Sequence, residues 1–194
     1  MSKLLIETRL FEGKVNEDSS GRTIVKGILQ RAGAPNQNER VYPKEILMRE
    51  AKKYETLIKE RRALGELDHP ESSVINLKNV SHNVREIHWD GDDLMGTVEI
   101  LPTPSGNILK ALLTAGILLG ISSRGMGSVE PRSGGGVTVG DDFELIGWDF
   151  VSNPSTHGAF MTPVNESKQM VSEDVCGNYC KAHDLIREII TELS

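Results

Sequence analysis

Aromatic side chains make up only 5% of the 194 residues, so the interior has to be built mainly from Leu, Ile and Val. Cysteine is almost absent. The two present, Cys176 and Cys180, cannot staple a secreted scaffold, and they agree with a reducing compartment. No stretch approaches the roughly 20 apolar residues of a membrane-spanning helix; the longest, Ile117 to Ile121, is interrupted by Gly120. The N-terminus, MSKLLIETRL, places Glu7 and Arg9 where a secretory signal needs an unbroken apolar core, so the chain is expected to be cytoplasmic. Positive charge is in the minority: 22 Lys and Arg against 28 Asp and Glu give a net charge of −6. That balance argues against a nucleic-acid surface held by phosphate contacts and against a membrane surface. No repeat with a period of roughly 20–50 residues is visible, which excludes a solenoid.

With 38% hydrophobic and 26% charged residues the chain is rich enough in apolar side chains for a real core. Its length predicts one domain with a tail. Two strands are expected over Lys3–Phe11 and Arg22–Arg31, joined by the polar run Asn16–Gly21, and Arg31–Arg40 reads as a loop. Pro43 opens a helix whose apolar stripe is Ile46, Leu47, Ala51, Tyr54, Leu57 and Ile58, ending near Arg62. Strands are expected over Ser73–Val80, Val84–Trp89 and Leu94–Leu101, with Asp90-Gly91-Asp92 as a hairpin turn. Pro102 and Pro104 precede a second helix, Ser105–Ala115, with Gly116 at its end. Ile117–Arg124 and Phe143–Val151 read as strands on either side of a Gly- and Ser-rich stretch, Gly125–Gly140, expected to be a loop or wide hairpin. Val164–Asp174 reads as a polar linker, and Tyr179–Leu193 regains helical periodicity. The pattern predicts a mixed barrel or sandwich with helices packed on it.

Three strings carry chemistry. In Gly65-Glu66-Leu67-Asp68-His69-Pro70 the imidazole of His69 is pinned between a short strand and a proline, where it can take and return a proton; the plainer reading is a loop histidine bonded to Asp68 or Glu66. In Gly120-Ile121-Ser122-Ser123-Arg124-Gly125 two hydroxyls stand beside a cation and a glycine, a composition that suits a nucleophile with oxyanion donors but also suits an ordinary turn. The nucleophile-elbow spacing is absent: Ser122 has the Gly-x-Ser half and Ser123 the Ser-x-Gly half. In Trp148-Asp149-Phe150 a carboxylate interrupts an apolar strand and needs either a partner or an exposed edge; His157 follows in the same segment. Two metal readings are weaker. Cys176, Cys180 and His183 recur at helical spacing, and His82, Glu86 and His88 fall on one strand face by period two. Tail-helix packing and an exposed polar face are the preferred readings.

Taken in order, LGELDHPESS, HWDGDDLMGTVEILPTPSGNILKALL, GISSRGMGS and the Asn153-Pro154 segment resemble the prohead core protein proteases of T-even-like tailed phages, over about Gly65 to Met161. GELDHP and GISSRG are the specific blocks. The resemblance implies an α+β fold, a mostly antiparallel β-barrel surrounded by helices and distantly similar to the herpesvirus assemblins. It implies a serine endopeptidase needing no cofactor and no metal. His69 takes the place of the general base, Ser123 that of the nucleophile with Ser122 as alternative, and Asp149 that of the orienting acid with His157 as alternative. Arg124 and Gly125 take the oxyanion position. The family suggests substrates: internal scaffold (core) and capsid proteins, and the enzyme itself, inside the assembling prohead in the host cytoplasm. Self-association is left open. Cleavage is expected after Glu with Leu or Ile two residues earlier, a pattern present at Leu5-Ile6-Glu7, Leu10-Phe11-Glu12, Ile58-Lys59-Glu60, Ile186-Arg187-Glu188 and Ile190-Thr191-Glu192. Residues 1–163 are then the protease domain and 164–194 a removable tail. The rivals are a non-catalytic scaffold or capsid component of the same fold, and a metal-dependent hydrolase using His69, His82 and His88.

Overall fold

Alternation of apolar and polar residues organises most of the chain into antiparallel ladders. A computed structural model describes residues 3–11, 16–17, 21–68, 70, 72–152 and 161–163. The strands are β1 (Lys3–Phe11), β2 (Asn16–Glu17), β3 (Thr23–Arg31), β4 (Arg40–Val41), β5 (Leu64–Glu66), β6 (Val80–Asp90), β7 (Asp93–Ile100), β8 (Leu119–Gly127), β9 (Val129–Pro131), β10 (Val137–Val139), β11 (Glu144–Val151) and β12 (Met161–Pro163). Two helices, α1 (Lys44–Lys59) and α2 (Pro104–Thr114), complete the described elements.

One ladder runs β12-β3-β7-β6-β5, with β2 also on β3; a second runs β1-β8-β11. A single parallel bridge, Leu67 to Phe150, joins the chain just after β5 to β11. The small group β4-β10-β9 lies apart. The architecture is α+β and mostly antiparallel, as expected, but the expected barrel is not found: among the described residues the strand path ends at β1 and at β12 and does not close.

Both helices sit where the apolar stripes put them. Residues Ile46, Leu47, Ala51 and Tyr54 of α1 are buried. Its end falls at Lys59 rather than near Arg62, because Arg61 takes a left-handed φ of 56°. Arg61 N–H then bonds Ile58 O and Arg62 N–H bonds Leu57 O, a Schellman closure without glycine. The same pair of bonds closes α2 through Gly116, at φ 77°. The Asp90-Gly91-Asp92 turn joins β6 and β7 as expected, and Gly125–Gly140 contains the β9–β10 hairpin.

The expected strand over Ser73–Val80 does not form before Val80. Ser72 Oγ accepts Val74 N–H, and Asn76 Oδ1 accepts Lys78 N–H while Asn76 O accepts Asn79 N–H. These local bonds satisfy the backbone in a turn and remove it from any ladder. Val74 and Leu77, two apolar residues of that stretch, are each 72% exposed.

Aliphatic side chains dominate the larger core, which gathers Val25, Leu29, Val84, Leu94, Val98, Leu109, Leu113 and Ile121 around Trp148 and Phe150. The few aromatics are concentrated at its centre: Tyr54 meets Trp148 edge-on at 4.8 Å, and Tyr42 meets Phe143 in a second, smaller core.

Helix α2 is clamped to the sheet through its first turn. Thr103 Oγ1 caps Gly106 N–H and donates to Val80 O, while Leu101 N–H bonds Ser81 O. A methyl at Gly106 would collide with the backbone oxygen of Leu101 and come within 2.7 Å of Ser81 O. In an open helix Gly→Ala gains about 1 kcal/mol. Here the sign reverses, and Gly106→Ala is expected to destabilise by about 3 kcal/mol. A urea midpoint equal to or above that of the wild type would contradict this docking.

Candidate active site on the β8–β11 ladder

β8 is a central strand, paired with β1 on one side and β11 on the other. Its register sets Ser122 opposite Asp149 and Ser123 opposite Trp148. Directly opposed residues share a face and successive residues alternate. Ser122, Arg124 and Asp149 therefore occupy one face of the ladder; Ile121, Ser123, Trp148 and Phe150 occupy the other. The second face belongs to the apolar core. Ser123 Oγ is buried there without a hydrogen-bond partner. The serine favoured by its spacing to Gly125 thus points away from the charged groups, and its neighbour Ser122 points toward them. Both serines are buried.

The charged face holds an ion triplet with no solvent exposure at any member. Arg124 Nε lies 2.9 Å from Asp149 Oδ2, and Nη2 donates to both Asp149 Oδ1 and Glu66 Oε1 at 3.1 Å. Its remaining nitrogen, Nη1, donates to Ser72 O at 2.7 Å. Asp149 Oδ1 also accepts Glu66 N–H, and Glu66 Oε1 accepts Asn76 N–H. Burying a lone carboxylate costs several kcal/mol, so two of them are tolerable only around a shared cation and further donors. Among the described residues, the carboxylate in the apolar β11 strand therefore has an arginine as a partner. Glu66 enters the site on the same physical ground: it interrupts the apolar run Leu64–Leu67, a signal equivalent to that of Asp149.

Arg124 and Gly125 were expected to face an oxyanion. The guanidinium lies against two carboxylates and a carbonyl. Gly125 packs against the Phe143 ring, where a Cβ would come within 2.6 Å of Cζ. His69 and His157 lie outside the described residues, as do Cys176, Cys180, His183 and the whole tail 164–194. The residues on either side of His69 are placed: Asp68 N–H bonds Phe150 O at 2.7 Å, and Asp68 has a left-handed φ of 70°.

His82 and His88 do not converge. A bulge between Val84 and Glu86 shifts the register of β6, so the period-two face is broken at Arg85. His82 points inward, whereas Glu86 and His88 are exposed. Nε2 of His82 lies 2.9 Å from Trp148 O, which only accepts, so it carries the proton; Nδ1 then accepts from Ser81 Oγ at 2.8 Å. Burial pushes its pKa down to about 4, partly opposed by Asp149. Below about pH 6.5 an unfolded chain takes up a proton that buried His82 refuses until about pH 4. Its contribution to stability is thus complete at neutral pH and is lost at about 1.4 kcal/mol per pH unit through that window. The His82 ring resonance is expected to keep its neutral position from pH 7.5 down to 5.5; a titration midpoint above 6 would contradict the assignment.

Comparison with known proteins places these residues in context. A family model described as prohead core protein serine protease matches residues 2–169. The prohead core protein protease of Enterobacteria phage T4 is 32% identical over 153 residues, 77% of this chain and 72% of that protein. The solved structure of the bacteriophage T4 capsid assembly protease superposes with a TM-score of 0.72 at 31% identity, covering 77% of this chain and 98% of that one.

Proposed function

The chain belongs to the prohead core protein serine proteases, and on that premise we propose that it is a serine endopeptidase with Ser122 as nucleophile, His69 as general base and Asp149 as orienting acid. The observation that carries the choice of serine is the register of β8 on β11, which gives Ser122 and Asp149 a common face and turns Ser123 into the apolar core. His69 removes the Ser122 hydroxyl proton as Oγ attacks the peptide carbonyl carbon. The tetrahedral intermediate collapses to an acyl-enzyme as His69 returns that proton to the leaving amine. Water, deprotonated by His69, then releases the carboxylic acid and restores the serine. Because Ser122 is buried, engaging a substrate has to uncover it.

The relatives' names, prohead core protein protease and capsid assembly protease, support prohead core and capsid proteins as substrates and the assembling head as the place of action. Cleavage after Glu in Leu/Ile-x-Glu, with the chain itself among the substrates, extends the same reading. Leu5-Ile6-Glu7 lies within β1 and Ile58-Lys59-Glu60 at the end of α1, where regular backbone hinders entry to a protease cleft. The two sites in 186–192 belong to the tail proposed as removable.

Mass spectrometry of the cognate core protein after incubation with wild type, Ser122→Ala and Ser123→Ala separates the readings. Wild type is expected to cut after Glu. Ser122→Ala is expected to fall by at least a thousandfold, and Ser123→Ala, which only trims a buried hydroxyl, to remain within about tenfold of wild type. Loss confined to Ser123→Ala would reverse the assignment; intact processing by both variants would favour a non-catalytic component of the head.

A further inference from the structure

We infer that Arg124 is a positioning residue, fastening the loop that carries His69 onto the β8–β11 ladder, and not a donor to the oxyanion. The inference rests on the serine-protease reading for what the loop does, but on its own geometry for what holds the loop.

The described residues between the end of β5 and the turn before β6 include Leu67, Asp68, Pro70 and Ser72. On the near side they are tied to β11 by Asp68 N–H on Phe150 O, and Leu67 N–H is bonded to Asn79 O. On the far side Ser72 O is held by Arg124 Nη1 at 2.7 Å. The same guanidinium grips Glu66, the residue immediately before the loop, through Nη2. One side chain thus fixes position 66 and position 72, three residues before and three after His69, and refers both to Asp149 on β11. The planar fork is what permits this, because its nitrogens point in fixed, divergent directions at three acceptors from three segments. A lysine at position 124 would supply the charge but only a single ammonium, unable to reach Asp149, Glu66 and Ser72 O together. The guanidinium has no solvent exposure, and three of its five N–H groups already donate to these acceptors.

Hydrogen exchange and steady-state kinetics on the full-length chain test this with Arg124→Lys. The amides of Asp68 and Asn76 are expected to exchange at least tenfold faster than in wild type, with the β6–β7 hairpin unchanged. On a peptide containing a mapped core-protein cleavage site, kcat is expected to fall at least tenfold while KM stays within threefold. Unchanged loop exchange with reduced kcat would overturn the inference in favour of direct oxyanion donation. Faster exchange throughout the sheet, with kcat lowered only by the folded fraction, would reduce Arg124 to a stability role and also overturn it. If Arg124→Lys does not fold, Glu66→Gln carries the test. It keeps an acceptor at Oε1 and removes one buried charge, so Asn76 exchange rises severalfold if the network holds the loop and stays at the wild-type rate if it does not. The exchange readout needs no activity. A wild type that cuts nothing would therefore defeat the protease reading and leave this inference standing or falling separately.

Discussion

A single buried cation between two buried carboxylates is the constraint on which the rest of this site depends. Arg124 from β8, Asp149 from β11 and Glu66 from β5 have no solvent to stabilise them, so each must be held within hydrogen-bond reach of the others. One guanidinium cannot neutralise two carboxylates. Among the described residues, the N–H groups of Glu66 and Asn76 add to the stabilisation. Those donors belong to the chain on both sides of the His69 loop, so the electrostatic requirement becomes a geometric one. Apolar residues of equal volume in place of a buried ion triplet are often neutral or stabilising; what such a replacement would remove is the fixed relation between β8, β11 and the chain that flanks His69.

The same triplet explains how two ladders act as one frame. Their only strand-to-strand link among the described residues is the Leu67–Phe150 bridge, and it lies beside the ion triplet. Close packing supports the junction from the other side. A Cβ at Gly65 would overlap both Trp148 O and the ring of His82, so the β5 backbone can approach β11 only because that residue is glycine. His82 is the third prop, neutral and bonded to Trp148 O. Its histidine chemistry is spent on architecture rather than on metal or proton transfer.

Much of this was legible in the amino-acid sequence where one physical signal dominated. The apolar stripes found both helices, and Asp90-Gly91-Asp92 found the central hairpin. The argument that a carboxylate in an apolar strand needs either a partner or an exposed edge singled out Asp149, which is buried and paired with Arg124. It did not foresee Arg124 as a partner, because pairing across strands depends on register, which spacing along one strand does not specify. The choice between Ser122 and Ser123 depends on register in the same way. Adjacent residues on a strand differ by a whole face, and only the position of β11 decides which face is charged. The reading of His82, Glu86 and His88 failed at a bulge, where one extra residue reverses the alternation. Ser73–Val80 misled for a local reason: the side chains of Ser72 and Asn76 satisfy the backbone before a ladder can. The barrel was expected from the strand pattern as well as from the resemblance, and the described strand path remains open.

The account's central claim is that the reactive hydroxyl lies on the charged face of β8. Treating the full-length wild-type chain with a fluorophosphonate and locating the adduct by fragmentation of the peptide that spans both serines tests it most directly. The account predicts a single phosphonyl group on Ser122. An adduct on Ser123, or none on either serine in protein that is cleaving its core substrate, would contradict it.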